Sequence, residues 1–208
     1  MIIEESFSKA IQELRKSEKK KFDQTIDLII NLKNFDVRRE AFSAFISVPH
    51  KIKDKKVVGF LEKDSKLIDT IKKEDFARYK EKKDIKKLVK KYDFFVSNAK
   101  LMPSVATSFG RVLGPVGKMP SPQLGVLLSE DEKAIQEIIK KINSSVRIKV
   151  KEPSIKVGIA RESLKDEEIL QNALAVYNKT LDLLPKKREN IRNVKIKFTM
   201  GKPVNVEI

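Results

Sequence analysis

The chain of 208 residues carries 45 lysines and arginines against 29 aspartates and glutamates, a formal charge of +16, and 40% of its residues are hydrophobic. That length accommodates two domains with real cores, and that charge draws the chain to polyanions, nucleic acid foremost. Lack of cysteine excludes disulfides, thiolate zinc sites and a cysteine nucleophile, no apolar run reaches membrane-spanning length, and the opening MIIEESFSKAIQELRKSEKKK lacks a signal peptide's apolar core, so a cytoplasmic protein with no membrane partner is expected.

In chain order, Ile3, Phe7, Ala10, Ile11 and Leu14 recur at helical spacing and predict an amphipathic helix running into the basic Lys19, Lys20 and Lys21. The period then changes to two. In KFDQTIDLIINLK the positions Phe22, Ile26, Leu28, Ile30 and Leu32 are apolar, while Asp23, Thr25, Asp27 and Asn31 alternate with them, the pattern of a half-buried strand. A second strand, AFSAFISVPH, stops at Pro49.

The centre differs in texture. VVGFL and DFFVSNA are short apolar runs of the kind buried on both faces of a parallel sheet, separated by the charged, helix-compatible KKEDFARYKEKKDIKKLVKKY. Next comes LMPSVATSFGRVLGPVGKMPSP, residues 101–122. The three prolines and two glycines of its GPVGKMPSP segment cannot continue a helix or a central strand, so the stretch is expected to be an ordered loop or a linker. Beyond it Ser129 and Glu132 suggest a capping box for a helix bearing Ile135, Ile138, Ile139 and Ile142.

From Val146 the alternation returns in VRIKV and IKVGI. A helix on Ile169, Leu170, Ala173, Leu174, Tyr177 and Leu181 follows, then VKIKF and a terminal VNVEI. The two ends of the chain resemble each other more than either resembles the middle. The expected fold is α/β in two domains: a split α/β domain of sandwich-like α+β character over residues 1–56 and 149–208, interrupted by an inserted α/β domain over 57–148. Two chain crossings would join them, a natural hinge.

No catalytic set emerges. His50 is the single histidine, follows a proline at a strand end, and has no second imidazole or cysteine with which to share a metal, so a turn role is expected and no metal site. A phosphate-binding loop needs glycine five residues before Gly117, where Val112 stands, and Ser or Thr after Lys118, where Met119 stands. The dinucleotide fingerprint fails too, because Gly110, Gly114 and Gly117 are four and three apart. No cofactor is expected.

The basic residues form two sets. Ten lysines or arginines against four acids between Lys72 and Lys91 fit a solvated helix face as well as a binding site. On the strands, Arg147, Lys149, Lys156, Lys195 and Lys197 alternate with apolar neighbours, so they would present one basic face to a phosphate backbone, or simply a soluble sheet surface.

Three segments, KFDQTIDLIINLKNFDVRR, LMPSVATSFGRVLGPVGKMP and VKIKFTMGKPVNV, in that order and spacing, resemble the family of large-subunit ribosomal protein one, the stalk protein, in its archaeal form. The resemblance spans nearly the whole chain. It implies a split first domain and a Rossmann-like inserted second domain, with the stalk of large-subunit rRNA near the tRNA exit site as ligand. It also implies a repressor's binding to its own mRNA, contact with exit-site tRNA, a monomer when free, and no enzyme activity.

Carried over onto this sequence, the family's RNA surface falls on Lys21, Phe22, Asp23, Gln24, Thr25 and Asp27, and on the turn of Thr199, Met200 and Gly201. Ser154 and Lys156 lie on a neighbouring strand. Thr, Gln and Asp suit the sugar hydroxyls of a shallow RNA groove, and lysines suit its phosphates. Parity with Ile26 and Leu28 gives Phe22 a core role as the alternative. Gly201, without a side chain, permits both an unusual backbone angle and close approach to a ribose. Where the family has an arginine in its glycine- and proline-rich stretch this chain has Val116, which leaves Arg111 and Lys118 as secondary contacts. Lys202, where proline is common, adds another. PHKIKDKK departs from the family's glycines, which implies a stiffer or differently shaped hinge. The competing function is a nucleotide- or RNA-processing enzyme using the inserted α/β domain.

Overall fold

A computed structural model describes residues 2–16, 20–79 and 81–207; Lys19, in the basic run after the first helix, lies outside them. The elements in chain order are α1 (Ile2–Arg15), β1 (Thr25–Leu32), α2 (Val37–Glu40), β2 (Ser43–Ser47), β3 (Val57–Phe60), β4 (Asp69–Ile71), α3 (Lys82–Lys91), β5 (Phe94–Asn98), α4 (Met102–Val116), β6 (Val126–Leu127), α5 (Glu132–Asn143), β7 (Ser145–Lys149), β8 (Ser154–Arg161), α6 (Asp166–Leu183), β9 (Ile191–Phe198) and β10 (Val204–Val206). The chain divides into two compact units, Met1–Lys53 with Ser144–Ile208, and Asp54–Asn143.

In the split unit, β1 is central to an antiparallel sheet of order β10-β9-β1-β8. A strand from the front of the chain thus pairs on both sides with strands more than a hundred residues later, so neither segment completes the sheet alone. Ile26, Leu28, Ile30 and Leu32 of β1 are buried beneath Phe7, Ala10, Ile11 and Leu14 of α1 and Ile169, Ala173, Val176 and Tyr177 of α6. The period-two and period-3.6 patterns meet in one core. Arg15 fixes the end of α1: Nε pairs with Asp166 at 2.9 Å, and Nη1 and Nη2 donate to the carbonyls of Glu162 and Leu164 at 2.6 and 2.7 Å.

β2 and β7 form a separate antiparallel pair, Ser43 opposite Lys149 and Ser47 opposite Ser145. β7 therefore belongs with the split unit rather than with the 57–148 segment. This pairing also divides the expected basic face. Arg147 and Lys149 stand on the two-stranded ribbon, where the Arg147 guanidinium lies over the Phe45 ring at 5.5 Å, whereas Lys156, Lys195 and Lys197 share the four-stranded sheet. Buried Asn172 anchors the end of the ribbon, accepting from the His50 N–H at 2.9 Å and donating to the carbonyls of His50 and Ile159 at 3.0 and 2.9 Å. His50 thus sits in a pinned turn.

The second unit holds a parallel sheet of order β4-β3-β5-β6. Every residue of β3 is buried, as its continuous apolar run predicts. Val58, Phe60 and Phe95 pack against α3 and α4, while Val57, Leu61 and Val96 pack with Ile135 and Ile142 of α5.

Two local expectations give way here. Residues 101–122 are mostly the helix α4, not a loop: Pro103 stands in its first turn, where no amide donor is required, and Val105, Phe109, Val112 and Leu113 are buried along one side. Pro115 falls in the last turn, and Gly117 (φ 76°) then ends the helix, its N–H reaching Gly114 while Lys118 N–H reaches the Leu113 carbonyl at 3.0 Å. The start of α5 at Glu132 also leaves Ser129 too far upstream to cap it.

Candidate nucleic-acid interface

Odd positions of β1 point to the side of the sheet opposite α1 and α6. Thr25, Asp27, Ile29 and Asn31 are all partly exposed, against four buried neighbours. Register extends this surface sideways. Asn31 faces Ser154 and Asn193; Ile29 faces Lys156 and Lys195; Asp27 faces Gly158 and Lys197; Thr25 faces Arg161. Ser154 Oγ donates to Asn31 Oδ1 at 2.8 Å and Asn31 Nδ2 to Asn193 Oδ1 at 2.6 Å, a polar row across three strands. Lys195 and Lys197 have no ion-pair partner among the described residues, while Lys156 leans on Glu152 at 3.2 Å. The surface is a rigid floor of hydrogen-bonding groups with a positive bias.

Gly158 makes room at the centre of this floor. A side chain there would meet Thr25 Cγ2 at 2.9 Å and Asp27 Oδ1 at 3.5 Å, and the register shifts between Ile26 and Asp27 opposite it. The bulge delivers Arg161 beside Thr25, and its guanidinium lies 3.5 Å from Asp23 Oδ2.

The turn after β9 closes one end of the floor. Gly201 N–H donates to the Phe198 carbonyl at 2.8 Å, and Thr199 N–H to the Thr25 carbonyl at 3.0 Å. Thr199 Oγ1 lies 3.0 Å from that same carbonyl and 3.2 Å from Asp27 Oδ2, so its single proton is shared inside the protein and its lone pairs are what it offers outward. Of the two freedoms Gly201 offers, the backbone angle goes unused, since its φ is not in the left-handed region, which among the glycines only Gly117 occupies. Its value is space, because an added Cβ would lie 3.3 Å from Phe198 Cβ.

The burial parity of β1 extends back only as far as Gln24, which is 3% exposed, with Oε1 accepting from Met200 N–H at 3.4 Å. Phe22 lies before the strand begins and is 57% exposed; Met200 is 70% exposed. Asp23 accepts from Ser163 N–H and Oγ at 3.1 and 3.2 Å, which shapes the Lys21–Asp23 loop. Two shallow grooves flank this corner, one of about 540 Å³ lined in part by Gln24, Met200, Gly201 and Lys202, the other of about 400 Å³ lined in part by Lys21, Phe22 and Asp23. The structure therefore gathers Lys21, Phe22, Asp23, Gln24, Thr25, Asp27 and Thr199 to Lys202 at one corner, with Lys156 and Ser154 farther along the same face. Sequence reasoning left Gly158, Arg161, Asn31 and Asn193 out of the site; the lone glycine within IKVGI was the available signal.

The two secondary candidates lie in the second unit. Arg111 is exposed on α4. Lys118 is committed elsewhere, its Nζ donating at 2.7 Å to each of the Val89 and Tyr92 carbonyls and so capping α3 in place of a phosphate contact.

Residues 14–202 match the family described as the ribosomal protein L1p/L10e family. The chain belongs to that family. It is 35% identical over 94% of its length to the large ribosomal subunit protein uL1 of Nanoarchaeum equitans, covering 97% of that protein. Large ribosomal subunit protein uL1 of Thermococcus kodakarensis is 33% identical with 95% of each chain covered, and that of Pyrococcus horikoshii 32% identical with 95% and 94% covered. Proteins of the L1p/L10e family are structural ribosomal proteins, not enzymes, and the enzymatic alternative lacks support.

The second unit's chemistry agrees. Strand order places a topological switch between β3 and β5, whose carboxyl ends are where such sheets bind ligands. Here Glu130 occupies that position. Its carboxylate accepts from Asn98 Nδ2 at 2.6 Å and from the N–H groups of Glu62 and Lys63 at 2.9 and 3.0 Å. Burial is the largest single influence and pushes Glu130 up, but these bonds outweigh it and hold the carboxyl below its ordinary range. An anion fixed there repels phosphate.

Proposed function

We propose that this chain is an RNA-binding protein of the large ribosomal subunit, that the open face of the β10-β9-β1-β8 sheet receives the stalk helix of large-subunit rRNA, and that a similar fold in its own mRNA competes for the same face. In this reading the unit 54–143 is the Rossmann-like inserted domain, and the ribosome in the cytoplasm, beside exit-site tRNA, is where the protein acts.

One observation carries the proposal: exposed Phe22 and Met200 stand beside a hydrogen-bonded polar floor bearing Lys195 and Lys197. Lysines meet phosphates, the Thr, Asn and Ser groups match ribose hydroxyls, and the two apolar side chains offer contact surface to sugars or unstacked bases.

Ultraviolet crosslinking of the full chain to a stalk rRNA fragment, read by peptide mass spectrometry, tests it. Crosslinks are expected within residues 21–31, 154–161 and 193–202. Crosslinks confined to α3 and α4 would move the site to the other unit.

A further inference from the structure

The end of the same sheet remote from the Thr199 turn holds a second concentration of positive charge. Leu32 at the end of β1 pairs with Ile191 at the start of β9, so the loops beyond them lie side by side. Buried Asn190 ties them together. Its Nδ2 donates to the carbonyls of Lys33 and Asn34 at 3.2 and 3.0 Å, its Oδ1 accepts from Lys186 N–H at 2.7 Å, and its own carbonyl accepts from Lys33 N–H at 2.8 Å.

Asn34 (φ 52°) and Lys187 (φ 46°) are the described non-glycine residues in the left-handed region. Asparagine tolerates that conformation and lysine does not, so the bound frame around Asn190 over-determines it. On this frame Lys33, Lys186, Lys187, Arg188 and Arg192 are all exposed, and Lys33, Arg188 and Arg192 line a cleft of about 340 Å³ with Glu189 and Ile191.

None of these five cations has an ion-pair partner among the described residues. Lys195 and Lys197 on the open face are likewise unpaired, whereas Lys72 pairs with Asp64 at 2.6 Å, Lys87 with Asp84 at 3.1 Å and Lys156 with Glu152 at 3.2 Å; what marks this cluster is five such cations held on one pinned frame. Like charges held together on a pinned backbone repel one another, and a polyanion relieves that repulsion. Arginine's planar fork fits phosphate oxygens in pairs. The cleft has no aromatic side chain and its apolar member, Ile191, is buried, so it offers neither a base-stacking platform nor the apolar anchor of a protein interface.

We propose that this cluster is a second phosphate-backbone site, which grips a stretch of RNA roughly 25 Å along the strands from the Thr199 turn. The inference shares with the proposed function only the choice of RNA as partner. It requires a different part of that RNA, beyond the reach of the open face's first corner.

The test uses the full chain with Lys33→Gln, Arg188→Gln and Arg192→Gln combined, and separately Thr199→Val. Each is titrated against a stalk rRNA fragment and against poly-L-glutamate between about 50 and 200 mM salt, with circular dichroism as a check on folding. The triple variant is expected to bind the RNA about tenfold or more weakly, with the slope of log affinity against log salt flatter by about two to three, near one per lost phosphate contact. Should it melt early, Arg192→Gln alone is expected to flatten the slope by about one. Unchanged affinity and slope overturn the proposal, as does loss of poly-L-glutamate binding with RNA binding intact, which would assign the cluster to an acidic protein. A flattened slope beside an indifferent Thr199→Val supports the cluster while overturning the open-face reading.

Discussion

The two sheets of this chain differ in how many faces they leave bare. The parallel sheet β4-β3-β5-β6 is covered on both sides by helices, and its carboxyl edge at the β3/β5 switch is closed by Glu130. The antiparallel sheet β10-β9-β1-β8 packs one face on α1 and α6, and the side chains of β1 on its other face, three of the four polar, are partly exposed. Crossover helices bury a parallel sheet as a by-product of connecting its strands, whereas antiparallel neighbours need no such cover. Backbone rigidity and accessible polar groups coincide on one sheet and not on the other.

Charge reversal gives the largest contrast between them. Lys156→Glu with Lys197→Glu on the open face is expected to lower affinity for stalk RNA about a hundredfold, about 3 kcal/mol, and to flatten the salt slope. Lys82→Glu with Lys86→Glu, equal in charge on the exposed side of α3, is expected to change it about threefold or less. Filter binding at fixed salt measures both. Equal losses from the two pairs would mean that charge acts only through the net total and that the open face has no special standing.

Phe22 sharpens the comparison within the split unit. Because its ring is mostly exposed, Phe22→Ala is expected to leave the melting temperature nearly unchanged while weakening RNA binding by about 1–3 kcal/mol, the scale of one stacked base. A lowered melting temperature with unaltered binding would return Phe22 to a packing role. Thr199→Val is a smaller and mixed perturbation. Its hydroxyl bonds to Thr25 and Asp27, so about 1 kcal/mol of stability should go with it, alongside about 1–2 kcal/mol of RNA affinity. Calorimetric melting and RNA titration separate the two.

Local periodicity made most elements of this fold legible. β1, α1 and α6 follow their apolar spacing, and the uniform burial of β3 follows from its unbroken apolar run. Failures came where one residue broke a pattern or a partner lay far off in sequence. The parity that would have buried Phe22 stops at Gln24, a polar residue whose buried amide meets the Met200 N–H, 176 residues away. GPVGKMPSP misled because Pro115 and Gly117 serve to end a helix whose buried side, Val105, Phe109, Val112 and Leu113, lies upstream of them. The Asn190 frame and the pairing of β7 with β2 depend on contacts between distant segments, for which a single sequence carries no local signal, whereas the lone Gly158 within a strand pattern was a local sign of the bulge that went unread. For the site the residues came from resemblance, while their gathering at one corner is a property of the antiparallel register.

The last comparison concerns acid. Glu130 joins the loop after β3 to the end of β5 through three hydrogen bonds to its charged form, and its carboxyl lies below the ordinary glutamate range in the folded chain. A lowered folded value means that the carboxylate's contribution is complete above the unfolded glutamate range and is lost as pH falls through the folded value. Glu130→Gln is therefore expected to destabilise the second unit by about 1 kcal/mol at neutral pH, since the group is partly solvated, and by progressively less in acid as the parent protonates. Thermal melts at neutral and acidic pH, followed by hydrogen exchange at β3 and β5, measure the difference. Exchange in β1 and β9, and RNA binding at neutral pH, are expected to be indifferent to the substitution. A constant penalty across pH would mean that the amide fails for reasons of shape. Lost RNA affinity would mean that the carboxyl edge of the parallel sheet takes part in binding, and the separation between the two sheets would fail.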